Sequence, residues 1–119
     1  MYVAAPDQFG FQLVRATGNA AHVADLAARA TAKGLTWSDA GLSKGAKALT
    51  MPTEDAVYSA LGMPVVPPEL REGVDEGDRA AAGSLPVLLE ASDLKGFLHC
   101  HSGYSDGTST IAEWARAAR

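Results

Sequence analysis

The sequence predicts an α+β chain in two parts, and three observations predict it. Apolar residues recur at helical spacing in three segments that carry their own start or stop signals. Two short apolar runs between the second and third segments are broken by Ser, Asp, Gly and Lys, the composition of a small antiparallel sheet. An acidic, alanine- and glycine-rich stretch then separates this half from a final strand, loop and helix. The helical part with its sheet is expected over residues 1–72, a linker over 73–92 and the strand-loop-helix unit over 93–119.

Tyr2 to Ala5 reads as a strand edge cut short by Pro6. Asp7 to Ala16, carrying Phe9, Phe11, Leu13 and Val14, is compatible with a helix. Thr17-Gly18 breaks it, and Asn19 is placed to cap a second helix from Ala20 to Lys33, in which Val23, Leu26, Ala27 and Ala30 form the apolar stripe. Gly34 ends that helix. Leu35 to Leu42 and Ala46 to Thr50 suggest a hairpin. Thr53 caps a third helix, Glu54 to Leu61, whose two leading acids favour the positive end of the helix dipole, and Gly62 closes it. Pro64, Pro67 and Pro68 then impose an extended segment held down by Val65, Val66 and Leu70. Gly73 to Ser84 carries no large side chain beyond Arg79 and allows at most a short helix. Leu94 to Cys100 reads as a buried strand, and Thr110-Ile111-Ala112-Glu113 has the form of a capping box opening a last helix.

Composition excludes several classes. A chain of 119 residues holds one ordinary domain, or a small domain and a piece of another. No apolar run approaches the roughly 18 residues of a membrane span, and no basic segment followed by a hydrophobic one opens the chain. Cys100 is the single cysteine, so no intrachain disulfide is possible and a cytoplasmic setting is expected. Charge is unevenly placed. Through Thr50, five basic residues stand against three acidic ones, and from Met51 onward five stand against eleven. The first half can approach a phosphate backbone and the second repels one unless cations intervene, although scattered charges that merely solvate two faces account for the same pattern.

The densest chemistry lies in His99-Cys100-His101-Ser102-Gly103-Tyr104-Ser105-Asp106-Gly107. On a strand, His99 and His101 share a face and Cys100 points away. Two imidazoles on one face can grip a cation, and Asp106 can swing back as an oxygen ligand. Two histidines at this spacing are also common as plain surface or hydrogen-bonded residues. The longer string, set between an apolar strand and a capped helix, resembles the first metal-binding motif of the PHP (polymerase and histidinol phosphatase) phosphoesterases. That resemblance implies a distorted α/β barrel whose first β-α unit lies here, with His99, His101 and Asp106 as ligands of manganese or zinc and metal-assisted hydrolysis of phosphate esters as the chemistry. Cys100 is then expected to pack into the barrel. Imidazole binds metal only when neutral, so affinity is expected to fall below about pH 6.5.

Taken together, Pro6-Asp7-Gln8-Phe9-Gly10, Thr17-Gly18, His22, Lys33-Gly34-Leu35, Gly41-Leu42, Thr53-Glu54, Val57-Tyr58, Leu61-Gly62 and Pro67-Pro68-Glu69-Leu70-Arg71-Glu72, followed by the PHP motif, resemble the end of a bacterial family X DNA polymerase. The resemblance implies a polymerase thumb, a linker and the start of a PHP domain with 3′ to 5′ exonuclease or related activity. The parent enzyme would act in DNA repair on DNA and deoxynucleoside triphosphates, with magnesium at its polymerase site. It also implies that the palm aspartates precede Tyr2 and that the later barrel ligands follow Arg119, so this chain is expected to be catalytically incomplete. Arg15 and Ala16 stand where the family has two aromatics, Val23 where it has an asparagine and Ala27 where it has a basic residue. These departures predict weak nucleotide binding, with Arg15 supplying a phosphate contact in place of stacking.

Thr17-Gly18-Asn19 has two readings. Either Gly18 lets the backbone approach a nucleotide and the second helix faces its phosphates, or the tripeptide is a helix-to-helix turn with a cap. Two further classes of function remain open beside the repair enzyme: a free-standing metal-binding protein using His99, His101 and Asp106, and a non-catalytic thumb-like module that contacts DNA or a partner protein. Oligomeric state leaves no signature in the sequence.

Overall fold

The computed structural model describes residues 3–96 and 99–118. They form two compact units, Met1–Pro86 and Val87–Arg119.

In the first unit, Pro6 opens a 3-10 turn, Pro6–Gln8, that leads into α1, Phe9–Thr17. Val3 to Ala5 form no strand, and Tyr2 lies outside the described residues. α2 runs Ala20–Ala32, and the Asn19 side chain accepts a hydrogen bond from the His22 amide at 2.8 Å, the expected cap. Its core-facing stripe is His22, Leu26 and Ala30, rotated from the apolar stripe read in sequence because the buried histidine finds polar partners inside. Gly34 and Gly62 follow their helices with φ of 71° and 67°, the left-handed geometry that favours glycine after a last turn.

Three strands replace the expected two-stranded hairpin. β1 (Thr36–Ser38), β2 (Gly41–Lys44) and β3 (Lys47–Ala48) form an antiparallel meander in that order. The Asp39-Ala40 turn splits the run read as one strand, so Trp37 pairs with Leu42. α3, Glu54–Ala60, is capped by Thr53, whose hydroxyl accepts from the Ala56 amide at 3.2 Å. The core lies among these elements: Phe11 and Val14 of α1, Leu26 and Ala30 of α2, Leu42 of β2, and Val57 and Tyr58 of α3, closed by Met51, Leu61, Met63 and Val66. Trp37 leans on Phe11 with ring centroids 4.5 Å apart.

The proline-rich segment adds a 3-10 turn, Pro68–Leu70, and the acidic stretch adds α4, Glu76–Ala81. Glu76, Gly77 and Ala80 are buried, so the first unit extends to Pro86, past Glu72 where the sequence placed the end of the helical part.

In the second unit, a 3-10 turn spans Ala91–Asp93 and α5 spans Ile111–Ala117. The capping box is present: Thr110 Oγ1 accepts from the Glu113 amide at 3.2 Å, and Glu113 Oε2 accepts from the Thr110 amide at 2.7 Å. Residues 94–96, 99 and 100 carry no strand, and Phe97 and Leu98, at the centre of the one expected there, lie outside the described residues. No described residue of this unit is buried. Trp114 is accordingly exposed, and so is Cys100, which was expected to be packed. No helix among the described residues is long and apolar enough to cross a membrane.

Candidate functional site

Two places gather the predicted residues, one in each unit. In the second unit, tight turns shape the loop: the amides of Ser105 and Gly107 donate to the Ser102 carbonyl at 2.9 and 3.1 Å, and the Gly103 amide to the Ser109 carbonyl at 2.9 Å. A Cβ on Gly107 would stand 2.1 Å from the His101 carbonyl oxygen, so only glycine fits against that backbone. The Trp114 indole N–H donates to the same carbonyl at 2.9 Å, tying α5 to the loop.

His99 Nε2 and His101 Nε2 converge to 3.1 Å, their rings stacked at 29°. Two nitrogens bound to one tetrahedral ion at about 2.0–2.1 Å stand roughly 3.3 Å apart, so the pair is spaced as two imidazoles sharing a cation are. The Asp106 carboxylate meets the other nitrogen of His101, Nδ1. That hydrogen bond, first among its causes, holds the Asp106 carboxyl below its ordinary range. In the tautomer that carries its proton on Nδ1 and donates it to Asp106, His101 turns the lone pair of Nε2 toward His99 Nε2. Asp106 therefore stands behind His101 and not beside the two converging nitrogens, and among the described residues no three or more His, Cys, Asp or Glu side chains surround a common point.

The second place is the turn between α1 and α2. Thr17 Oγ1 donates to the Leu13 carbonyl at 2.7 Å and accepts from Arg71 Nη1. Asn19 donates its amide to the Arg71 carbonyl at 3.1 Å and its side-chain Nδ2 to the Glu72 carbonyl. Gly18 is forced by space: a Cβ there would stand 2.9 Å from the His22 ring. Arg15 binds Asp39, with Nη2 to Oδ1 at 2.5 Å and Nη1 to the backbone carbonyl at 3.1 Å. The side chains of Thr17, Asn19 and Arg15 are thus engaged within the protein, and so are the amides of Gly18 and Asn19, which donate to the Val14 and Arg71 carbonyls.

Beneath the turn runs a buried polar chain. His22 Nδ1 bonds Glu76 Oε1 at 2.7 Å and Nε2 bonds the Tyr58 hydroxyl at 2.9 Å. Arg71, only 2 % exposed, donates from Nε to the Val66 carbonyl at 2.9 Å and from Nη1 to Glu54 at 2.7 Å. Its guanidinium carbon lies 5.6 Å from the centroid of the Tyr58 ring, and its Nη2 meets no acceptor among the described residues. Burial raises the Glu76 carboxyl, but its own amide, His22, and the amides of Gly73 and Val74 outweigh that and hold it at about 2. Burial pushes the Tyr58 phenol up to about 12.

Residues 12–72 match the family described as DNA polymerase beta thumb. The chain belongs to that family. It is also 34% identical over 113 residues to the DNA polymerase/3′-5′ exonuclease PolX of Bacillus subtilis (strain 168), a match that takes in 93% of this chain and 20% of that protein. The chain therefore spans about a fifth of the length of this relative. The α+β architecture with its small antiparallel sheet is that of a family X polymerase thumb, as the resemblance implied.

Within this thumb, sequence reasoning found the α1–α2 turn and left out Arg71 and Glu76. Both sit in segments read as extended or linker, where a charged residue ordinarily means solvent. The one available signal was Arg71 directly after the apolar run Val65, Val66 and Leu70, at a point where the chain was already expected to lie against the core.

Proposed function

We propose that this chain is the thumb end and the first PHP segment of a bifunctional repair enzyme, a family X DNA polymerase joined to a metal-dependent 3′ to 5′ exonuclease. The observation that carries the reading is the extent of the match to PolX. Because it leaves only a few residues of the chain outside, it takes in both the thumb and the His99 to Asp106 loop. The pairing of His99 and His101 at 3.1 Å supports the second half.

In this reading His99 and His101, with Asp106, hold manganese or zinc. A divalent ion there supplies Lewis acidity toward a phosphate oxygen. The chain's own contribution is orientation. Asp106 fixes the tautomer of His101, the Ser102 to Gly107 turns set the loop, and Trp114 braces its backbone. Asp106 would bind the ion directly only by turning from Nδ1 of His101 toward the Nε2 side. The thumb binds DNA, and its α1–α2 turn presents backbone to an incoming deoxynucleoside triphosphate carried with magnesium.

Calorimetric titration of manganese and zinc into the chain and into a His99→Ala/His101→Ala variant tests the metal half. Binding that disappears in the variant and survives in Cys100→Ala is the expected result. Equal binding by wild type and double variant would remove the assignment.

A further inference from the structure

We propose that Arg71 is a positioning residue for the Thr17-Gly18-Asn19 turn, holding the backbone that meets the nucleotide from a point 54 residues further along the chain. The inference rests on the reading of that turn as nucleotide-facing and deepens it. Residues 71 and 72 grip the turn on both sides of Gly18. Arg71 Nη1 donates to the Thr17 hydroxyl, the Arg71 carbonyl accepts from the Asn19 amide at 3.1 Å, and the Glu72 carbonyl accepts from the Asn19 side chain.

Arg71 can act as an anchor because it is itself anchored. Its side chain is wholly buried, its Nε is bound to the Val66 carbonyl at 2.9 Å, and Nη1 is shared between Thr17 and Glu54. Only a planar fork serves Val66 on one edge and Thr17 with Glu54 on another; an ammonium is a single point charge and loses at least one of these bonds. The Gly18 amide is committed to the Val14 carbonyl at 3.0 Å, so α1 fixes one end of the turn and Arg71 the other. A turn held in this way loses little freedom when a ligand docks, and preorganisation of that kind appears as affinity.

The test uses the 119-residue chain, with amide hydrogen exchange and nuclear magnetic resonance titration by a magnesium-bound deoxynucleoside triphosphate. Arg71→Lys keeps the charge. Arg71→Met/Glu54→Gln removes both charges, so that no buried ion is orphaned, and keeps the test open if the lysine variant does not fold. In either folded variant, exchange at the Asn19 amide is expected to accelerate at least tenfold relative to the Leu26 amide in the core. Nucleotide-induced shifts at Gly18 should then need about tenfold more ligand. A merely structural role would accelerate Asn19 and Leu26 together. Wild-type binding with unchanged affinity in the variants overturns the inference alone; no shifts in the wild type overturn the nucleotide reading of the turn and the inference with it.

Discussion

Thr53 and Thr110 open two helices by the same means, and the helices then fare differently. Each threonine hydroxyl accepts the amide three residues on, at 3.2 Å in both cases, and each helix carries acids in its first turn. α3 goes on to bury Val57 and Tyr58 completely, whereas α5 leaves Ile111 61% and Trp114 38% exposed. Capping is a contract between neighbours in sequence and is satisfied wherever the sequence supplies it. Burial needs a second layer. α1, α2 and the meander provide one for α3, and no described residue of the second unit provides one for α5. Stability in this chain is therefore expected to reside in the first unit.

The largest test of that contrast is a matched pair of truncations. Phe11 is fully buried and packed on Trp37, so Phe11→Ala should cost about 3–5 kcal/mol in chemical denaturation. Trp114→Ala removes an exposed ring and one hydrogen bond to the His101 carbonyl, and should shift the main transition by less than about 0.5 kcal/mol. Comparable losses from the two would mean that α5 is covered in solution.

Next in size is an acid limb that belongs to the first unit. The Glu76 carboxyl is held at about 2 in the folded chain against an ordinary 4.5. A depressed carboxylate contributes stability that is complete above the ordinary value and is lost as pH falls through the folded one, so the loss runs from about pH 4.5 down to about 2. At about 1.4 kcal/mol per pH unit, its size is on the order of 3–4 kcal/mol. Thermal melts between pH 2.5 and 7 should show the decline, and Glu76→Gln should flatten it while lowering stability near neutrality. A variant whose acid limb matches the wild type would place the source elsewhere. Asp106 and Glu113 are also depressed, but both are exposed in the second unit, and their titration should leave the main transition unmoved.

These contrasts mark what the sequence made legible. Asn19, Thr53 and Thr110 were readable as caps, and Gly34 and Gly62 as stops, because the bond each makes is to a residue three or four positions away. The turns of the His99 to Gly107 loop are local in the same way, since the bonds that shape them and the close fit of Gly107 lie within one short stretch. Arg71 and Glu76 were not. Each earns its place through partners 17 to 54 residues distant, Glu54, Thr17 and His22, and no local period records such a bond. The stripe on α2 was misread by one position for a related reason. A histidine counts as polar in a pattern, yet His22 is fully buried once Glu76 and Tyr58 occupy its two nitrogens. The meander was half legible, since the turn residues were visible but the pairing of Trp37 with Leu42 depends on where the Asp39-Ala40 turn closes.

The smallest effect returns to the caps themselves. Removing either hydroxyl leaves one amide at a helix start without its acceptor, and the local cost of that is about 1 kcal/mol. For Thr53→Ala the cost passes to the whole first unit, because α3 cannot fray without exposing Val57 and Tyr58, and the main melting transition should fall by that amount. For Thr110→Ala the cost stays local, because α5 holds no buried residue to couple it to anything else. Its amides should lose protection in hydrogen exchange while the melting transition stays where it was. If the Thr110 variant instead lowered the transition as much as the Thr53 variant, the second unit would be melting together with the first, and the independence argued from burial would be lost.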